Sequence, residues 1–357
     1  MSIHAPHHLP LAGRFLIPAA ALVIVVAGIK VSAPIIVTFL LSLFIAVITA
    51  PPFFWLQRRK VPAIIAVLLV ISAVIAMGMF VAAMVGNSIN DFQNQLPYYQ
   101  ERLQQKTLVH IDWLREHGLD IPKEDILDTF NPGDALKMAA GVLNGLSGML
   151  TNTFLILLTV TFMLLEAASV PAKLRLSLTN PEDSLPNFER FITTLQQYMA
   201  IKTWISLATG LLVSLWLFIL GVDYPLLWGL LAFLFNYVPN IGSLIAAVPA
   251  VLLALIQLGA GHAALTALGF LAVNLIMGNV VEPKVMGRGL GLSTLVVFLS
   301  LVFWGWVLGL VGMLLAVPLT MAVKIGLESG PGTSNMAILL GPEPKAETTN
   351  TISPNED

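Results

Sequence analysis

Two short stretches carry most of the residue types that could do chemistry in the second half of this chain. NVVEPKVMGRGLGLS (Asn279–Ser293) places Glu282, Lys284 and Arg288 within seven residues, in a protein only 11% charged. FNYVPNIGS (Phe235–Ser243) gathers Asn236, Asn240 and Ser243 around Pro239 and Gly242. A carboxylate at the edge of an apolar segment can carry a proton or coordinate a cation. Proline removes a backbone donor and disfavours helix at the preceding residue, here Val238, while glycine permits turns. A helix broken there frees carbonyls that, with Asn236, Asn240 and Ser243, can hold a small polar solute or a monovalent cation. The same residues equally suit a tight hairpin turn without ligand contact. Asn274 and Asn279 precede Glu282 on loosely adjacent helical faces. Glu282 can instead pair with Lys284 or Arg288 and anchor a helix end, with Pro283 and Gly287 sharpening the turn beyond it.

The elements that must position these residues are membrane helices. The chain is 57% hydrophobic and its mean hydropathy is +0.86, above the usual apolar share of a globular domain. Several uncharged runs reach the roughly 20 residues that a helix needs to cross a bilayer. An all-α, polytopic membrane protein follows, with membrane lipid as its solvent.

Apolar runs extend over 15–29, 33–56 and 61–86, and the second ends in Arg58, Arg59 and Lys60. The positive-inside rule places that basic turn, and hence the N-terminus, in the cytoplasm. Nothing in the first run reads as a cleavage site, so it is taken as a span and not a leader. These three spans make an N-terminal region, 1–86. Residues 87–145 hold nine of the 20 acids and five of the 18 bases, which suits a small extracytoplasmic helical region. Phe92, Leu96, Tyr99 and Leu103 recur there at helical spacing.

A C-terminal membrane region follows over 146–327. Its fourth span ends at Glu166, itself a weaker candidate for proton chemistry. Residues 170–204, with Lys173, Arg175, Arg190 and Lys202, read as a cytoplasmic loop plus an amphipathic helix on the membrane surface. A fifth span, 204–222, leads to Tyr224–Leu258, an uncharged run of 35 residues. As one helix it would be about 50 Å long, against a hydrocarbon core of about 30 Å. Leu292–Val323 shows the same excess, with a soft centre at WGWVLGLVG. Each is better read as a helical hairpin or a re-entrant, broken segment. Two hairpins also deliver Lys284 and Arg288 to the cytoplasm, as the positive-inside rule prefers. Residues 328–357 read as a disordered cytoplasmic tail.

Several function classes fall away. A net charge of −2 argues against a nucleic-acid partner, which would need a basic surface. The chain has no cysteine, so thiolate chemistry and cysteine metal sites are excluded. His4, His7 and His8 lack fixed geometry for a metal. No GxxxxGK[ST], HExxH or GxSxG pattern is present, and GRGLG follows a membrane helix, not a strand. Neither an enzyme nor a cofactor is expected.

In order, the elements PNIG, EPKVMG and FWGW…GMLLAVPL resemble the autoinducer-2 exporter family of permeases. The resemblance runs from the paired N-terminal spans to about Glu328. Thr294 departs from it, standing where proline is common in GLSPL. The resemblance implies an inner-membrane protein of about eight segments, assembled as a homo-oligomer, with both termini cytoplasmic by the charge argument above. Pro239, Asn240 and Gly242 match PNIG, and Glu282, Pro283 and Gly287 match EPKVMG, as family signature positions. The leading expectation is a secondary or passive transporter exporting a small polar solute, the quorum-sensing signal autoinducer-2 among the candidates. A sodium/proton antiporter is the alternative, and an oligomeric membrane scaffold without transport comes from a different class. Scarcity of acids at depth counts against proton coupling.

Overall fold

A computed structural model describes residues 11–116, 134, 136–141, 152–177, 181–239, 242–286, 291–329 and 333–341. Among the described residues every regular element is helical, as the composition requires. The helices are α1 (Leu11–Val31), α2 (Ala33–Arg58), α3 (Ala63–Glu116), α4 (Thr153–Ala167), α5 (Val170–Ser177), α6 (Pro181–Leu220) and α7 (Pro225–Phe235). They continue as α8 (Gly242–Leu258), α9 (Ala260–Asn274), α10 (Glu282–Met286), α11 (Thr294–Leu314), α12 (Ala316–Ser329) and α13 (Ser334–Leu339). A π-helical segment, Leu275–Val281, joins α9 to α10.

Five stretches among the described residues are long and apolar enough to cross a membrane: Ala33–Arg58, Ala63–Leu103, Ile192–Leu220, Ala260–Met286 and Thr294–Leu314. Shorter apolar helices accompany them, and two of these, Pro225–Phe235 and Ile245–Leu258, are the pieces of the first over-long run. The first run divides into α7 and α8, of 11 and 17 residues, which pack on one another. At 1.5 Å per residue α7 is only about 16 Å long, too short to cross alone. The second run turns back near Gly309, whose φ of 68° interrupts the helix. Trp304 then donates from its indole nitrogen to Thr320 Oγ1 at 3.1 Å, across the reversal. At Gly312 a Cβ would stand 2.0 Å from the Trp304 carbonyl oxygen, so only glycine lets the arms meet.

Three expected divisions come out differently. α3 runs unbroken past residue 86 for 54 residues, so the third span and the amphipathic stretch are one helix. The inward face is the expected one: Phe92, Tyr99 and Leu103 are buried, and Leu96 is partly so. The segment preceding the fifth span is not a separate helix but continuous with it. It is the first half of α6, a 40-residue helix, and Leu195, Tyr198, Met199 and Lys202 are buried. The physical reason is a single buried stripe, Leu195, Tyr198, Met199, Lys202, Ile205, Ser206, Thr209, Val213 and Leu217, at three- and four-residue steps. The expected tail, 328–357, includes ordered structure among its described residues. Ala337 of α13 is buried, and the amide of Ser293 donates to the Leu340 carbonyl at 3.1 Å.

The largest buried cluster joins the second half of α3 to α6, α7, α8 and α9. Its centre is aromatic: the Phe92 ring stands edge-on to Trp228 at 5.2 Å and to Tyr224 at 6.1 Å. Gly221 and Tyr224, both at positive φ, make the tight turn that seats α7 there. Truncating Phe92 to alanine should cost about 3–5 kcal/mol, the range for an aromatic removed from a packed site. Thermal unfolding in detergent should show Phe92→Ala well below the native chain, and Asn94→Ala, at an exposed position two residues on, close to it.

Candidate functional site

The two sequence motifs meet on one face of α6. Lys202, Thr203 and Ser206 lie within four residues of each other there. The Lys202 ammonium donates to Glu282 Oε1 at 2.6 Å, linking residues 80 apart. Tyr237 donates its hydroxyl to Thr203 Oγ1 at 2.7 Å, and Thr203 in turn donates to the Met199 carbonyl. Asn236 Nδ2 donates to Ser206 Oγ at 2.9 Å. The tip of the α7–α8 hairpin and the start of α10 are therefore both fastened to the same two turns. By helix rise this level is about 27 Å from the end of α6 that carries Asp223.

Local backbone explains how each group arrives. α7 ends at Phe235, and the chain crosses to α8 through Asn236, Tyr237, Val238 and Pro239. Gly242 opens α8 with its amide donating to the Val238 carbonyl at 3.2 Å. A Cβ at Gly242 would fall 1.8 Å from the Phe235 carbonyl oxygen, so the turn closes only around glycine. Glu282 follows directly on the π-helical turns. A π-turn holds more residues than an α-turn, and such turns recur at functional sites because they re-aim the side chains beyond them. Here the result is a carboxylate directed at α6.

Lys202 keeps 3% of its side chain exposed and Glu282 20%. It is the one charged residue in the buried set among the described residues. Tyr198, one turn earlier on α6, is buried with Tyr237, Val317 and Met321. The site is thus one buried ion pair beside a row of neutral hydroxyl and amide groups, floored by apolar and aromatic side chains.

Other expected residues lie elsewhere. Asn274 is half-buried at the end of α9, and Asn279 is exposed. Pro283 and Lys284 are exposed, so Lys284 does not pair with Glu282. Residues two apart on a helix point to opposite sides, which is why the near neighbour loses to the distant Lys202. Asn240, Gly287, Arg288 and the Ser243 side chain lie outside the described residues. Glu166 is held at the exposed end of α4 by Lys173 and by Ser169 Oγ. Trp304 packs within its hairpin, whereas Trp306 is exposed with the Lys30 ammonium 3.9 Å over its ring.

Lys202, Thr203, Ser206 and Tyr237 are the members that reading by motif overlooks. Lys202 was legible in one respect: it falls in phase with the buried stripe of α6. Assigning cations to the surface hides that phase.

Comparison with known proteins gives one consistent result. The family described as AI-2E family transporter matches residues 19–332. The AI-2 transport protein TqsA of Escherichia coli (strain K12) is 41% identical over 327 residues, covering 92% of this chain and 95% of TqsA. A putative transport protein of Haemophilus influenzae is 41% identical over 334 residues, covering 92% and 96%. The putative transport protein YhhT of Escherichia coli (strain K12) is 40% identical over 329 residues, covering 92% and 94%.

Two substitutions test this geometry. Gly242→Ala should lower both yield and melting temperature, whereas Gly278→Ala, whose Cβ meets nothing nearer than 3.6 Å, should not. Lys202→Met leaves Glu282 without its cation and should cost about 3 kcal/mol, the lower end for a broken buried pair. The double variant Lys202→Met/Glu282→Gln should recover part of that loss in the same unfolding assay.

Proposed function

We propose, from the premise that this chain belongs to the AI-2E transporter family, that it exports a small polar solute past the hairpin tip of α7 and α8. The protein is a multi-pass membrane transporter; the solute, the direction and the orientation are the proposal. The orientation follows the Arg58–Lys60 turn, with both termini in the cytoplasm of a bacterial inner membrane. The name of TqsA makes autoinducer-2 the first solute to test.

One observation carries the reading. Asn236, Ser206, Thr203 and Tyr237 form a cluster of neutral donors and acceptors at the break of a membrane helix. Backbone that leaves the helix at membrane depth must be buried in protein or line a cavity, because lipid satisfies none of its polar groups. Neutral hydroxyls and amides suit an oxygen-rich solute better than a bare cation, which would draw on carboxylates. Sodium/proton antiport stands as the second reading, since Glu282 places one carboxylate beside the same cluster. Its engagement by Lys202 favours the solute.

Sealed vesicles containing the purified protein separate the two. Labelled autoinducer-2 should cross without an imposed sodium gradient and without movement of protons. Sodium-driven proton movement with no solute flux would replace this reading by the antiporter. Tyr237→Phe and Asn236→Ala each remove one intramembrane hydrogen bond worth about 1 kcal/mol, so each should slow solute flux by roughly fivefold.

A further inference from the structure

The Lys202–Glu282 pair is a poor structural fastener, and that is the starting point. Taking two charges out of water costs about as much as their attraction returns, so well-packed apolar residues would hold the same helices at least as firmly. What a charged pair adds is a contact that is strong when made and can be exchanged as a unit. Lysine carries three donor hydrogens, and here the one described partner of the ammonium is the Glu282 carboxylate.

The partner sits just beyond an element whose winding sets its direction. Leu275–Val281 is π-helical and lies between α9 and α10, so the direction of Glu282 depends on that extra residue. Reversion of the segment to α-helix shifts the register by one residue, which turns everything beyond it by about 100°. Glu282 would then leave α6 altogether. At the centre of the segment a Cβ on Gly278 would meet only Asn274 Oδ1, at 3.6 Å, so this turn is not packed tightly against a neighbouring helix. α6 meanwhile keeps the hairpin tip through Thr203 and Ser206, on the face that holds Glu282.

We infer that the Lys202–Glu282 pair is a latch that closes the transport path at the end of the bundle where α10 begins. It rests on the transporter reading above, and within it Lys202 and Glu282 are positioning residues, not ligands for the solute. In the latched arrangement α10 is drawn against α6 beside the hairpin tip. Release of the pair, with rewinding of the π-helical turns, separates α10 from α6 and opens the polar row to that side.

The chain has no cysteine, so one reporter suffices. Thr209 is buried one turn beyond Ser206 on the same stripe, and Thr209→Cys can be probed with a membrane-impermeant maleimide. In the parent chain labelling should be slow from either face. Lys202→Met or Glu282→Gln should raise the rate from the α10 face alone by roughly tenfold. The swap Lys202→Glu/Glu282→Lys should return the slow rate, and Lys202→Arg, which preserves the pair, should never lose it. An unchanged rate in single variants that still elute as assembled protein would overturn the latch. A rise of equal size from both faces would do the same, since that reports general loosening. Labelling requires no solute, so absence of autoinducer-2 flux would sink the solute reading while leaving this measurement decisive.

Discussion

One face of α6 holds this membrane domain together at the end where its helices are broken. Lys202, Thr203 and Ser206 occupy neighbouring positions there: Thr203 and Ser206 accept from the α7–α8 break, and Lys202 donates to Glu282 beyond the π-helical turns. The constraint behind this is the absence of water. A helix can end inside a membrane protein only if its freed groups, and any charge nearby, find partners within the chain. α6 is the uninterrupted element that supplies them, which is why two motifs 40 residues apart converge on it.

The opposite end of the bundle is organised by apolar packing. There the second half of α3 places Phe92, Tyr99 and Leu103 in one cluster with side chains of α6, α7 and α8. Asp223, whose backbone amide donates to Gln257 Oε1 at 3.1 Å, ties the start of the hairpin to its finish. The α7–α8 hairpin is thus gripped at its base by aromatic packing and at its tip by hydrogen bonds. The two grips differ in kind. Close-packed aromatic rings resist displacement, whereas a few hydrogen bonds and one ion pair can exchange between partners.

Membership of the AI-2E family fixes the class of activity, and the site explains how such a chain can dispense with resident catalytic groups. Transport needs a path with polar groups at the right depth and a way of closing it. In the function proposed above, the neutral row of Asn236, Ser206, Thr203 and Tyr237 would supply the first. Glu282, aimed by the π-helical turns, supplies a charge whose position depends on local winding. The relatives named as transport proteins match over 92% of the chain.

The sequence by itself determined the solvent, the helical class and the breaks. Runs too long for a bilayer announce hairpins by length alone, and Pro239, Gly242 and the WGWVLGLVG stretch mark where they fold. The inward face of the amphipathic stretch was equally legible from Phe92, Leu96, Tyr99 and Leu103. Tertiary structure alone decided who pairs with whom. Glu282 has two cations within six residues, yet its partner is Lys202, because helix geometry turns Lys284 away and the π-helical turns aim the carboxylate at α6. No pattern of apolar residues announces a π-turn, which differs from its α-helical neighbours by one residue of register. Where a helix continues was also undecided by hydropathy: α3 and α6 cross their polar boundaries because buried stripes on one face persist after the other face becomes polar.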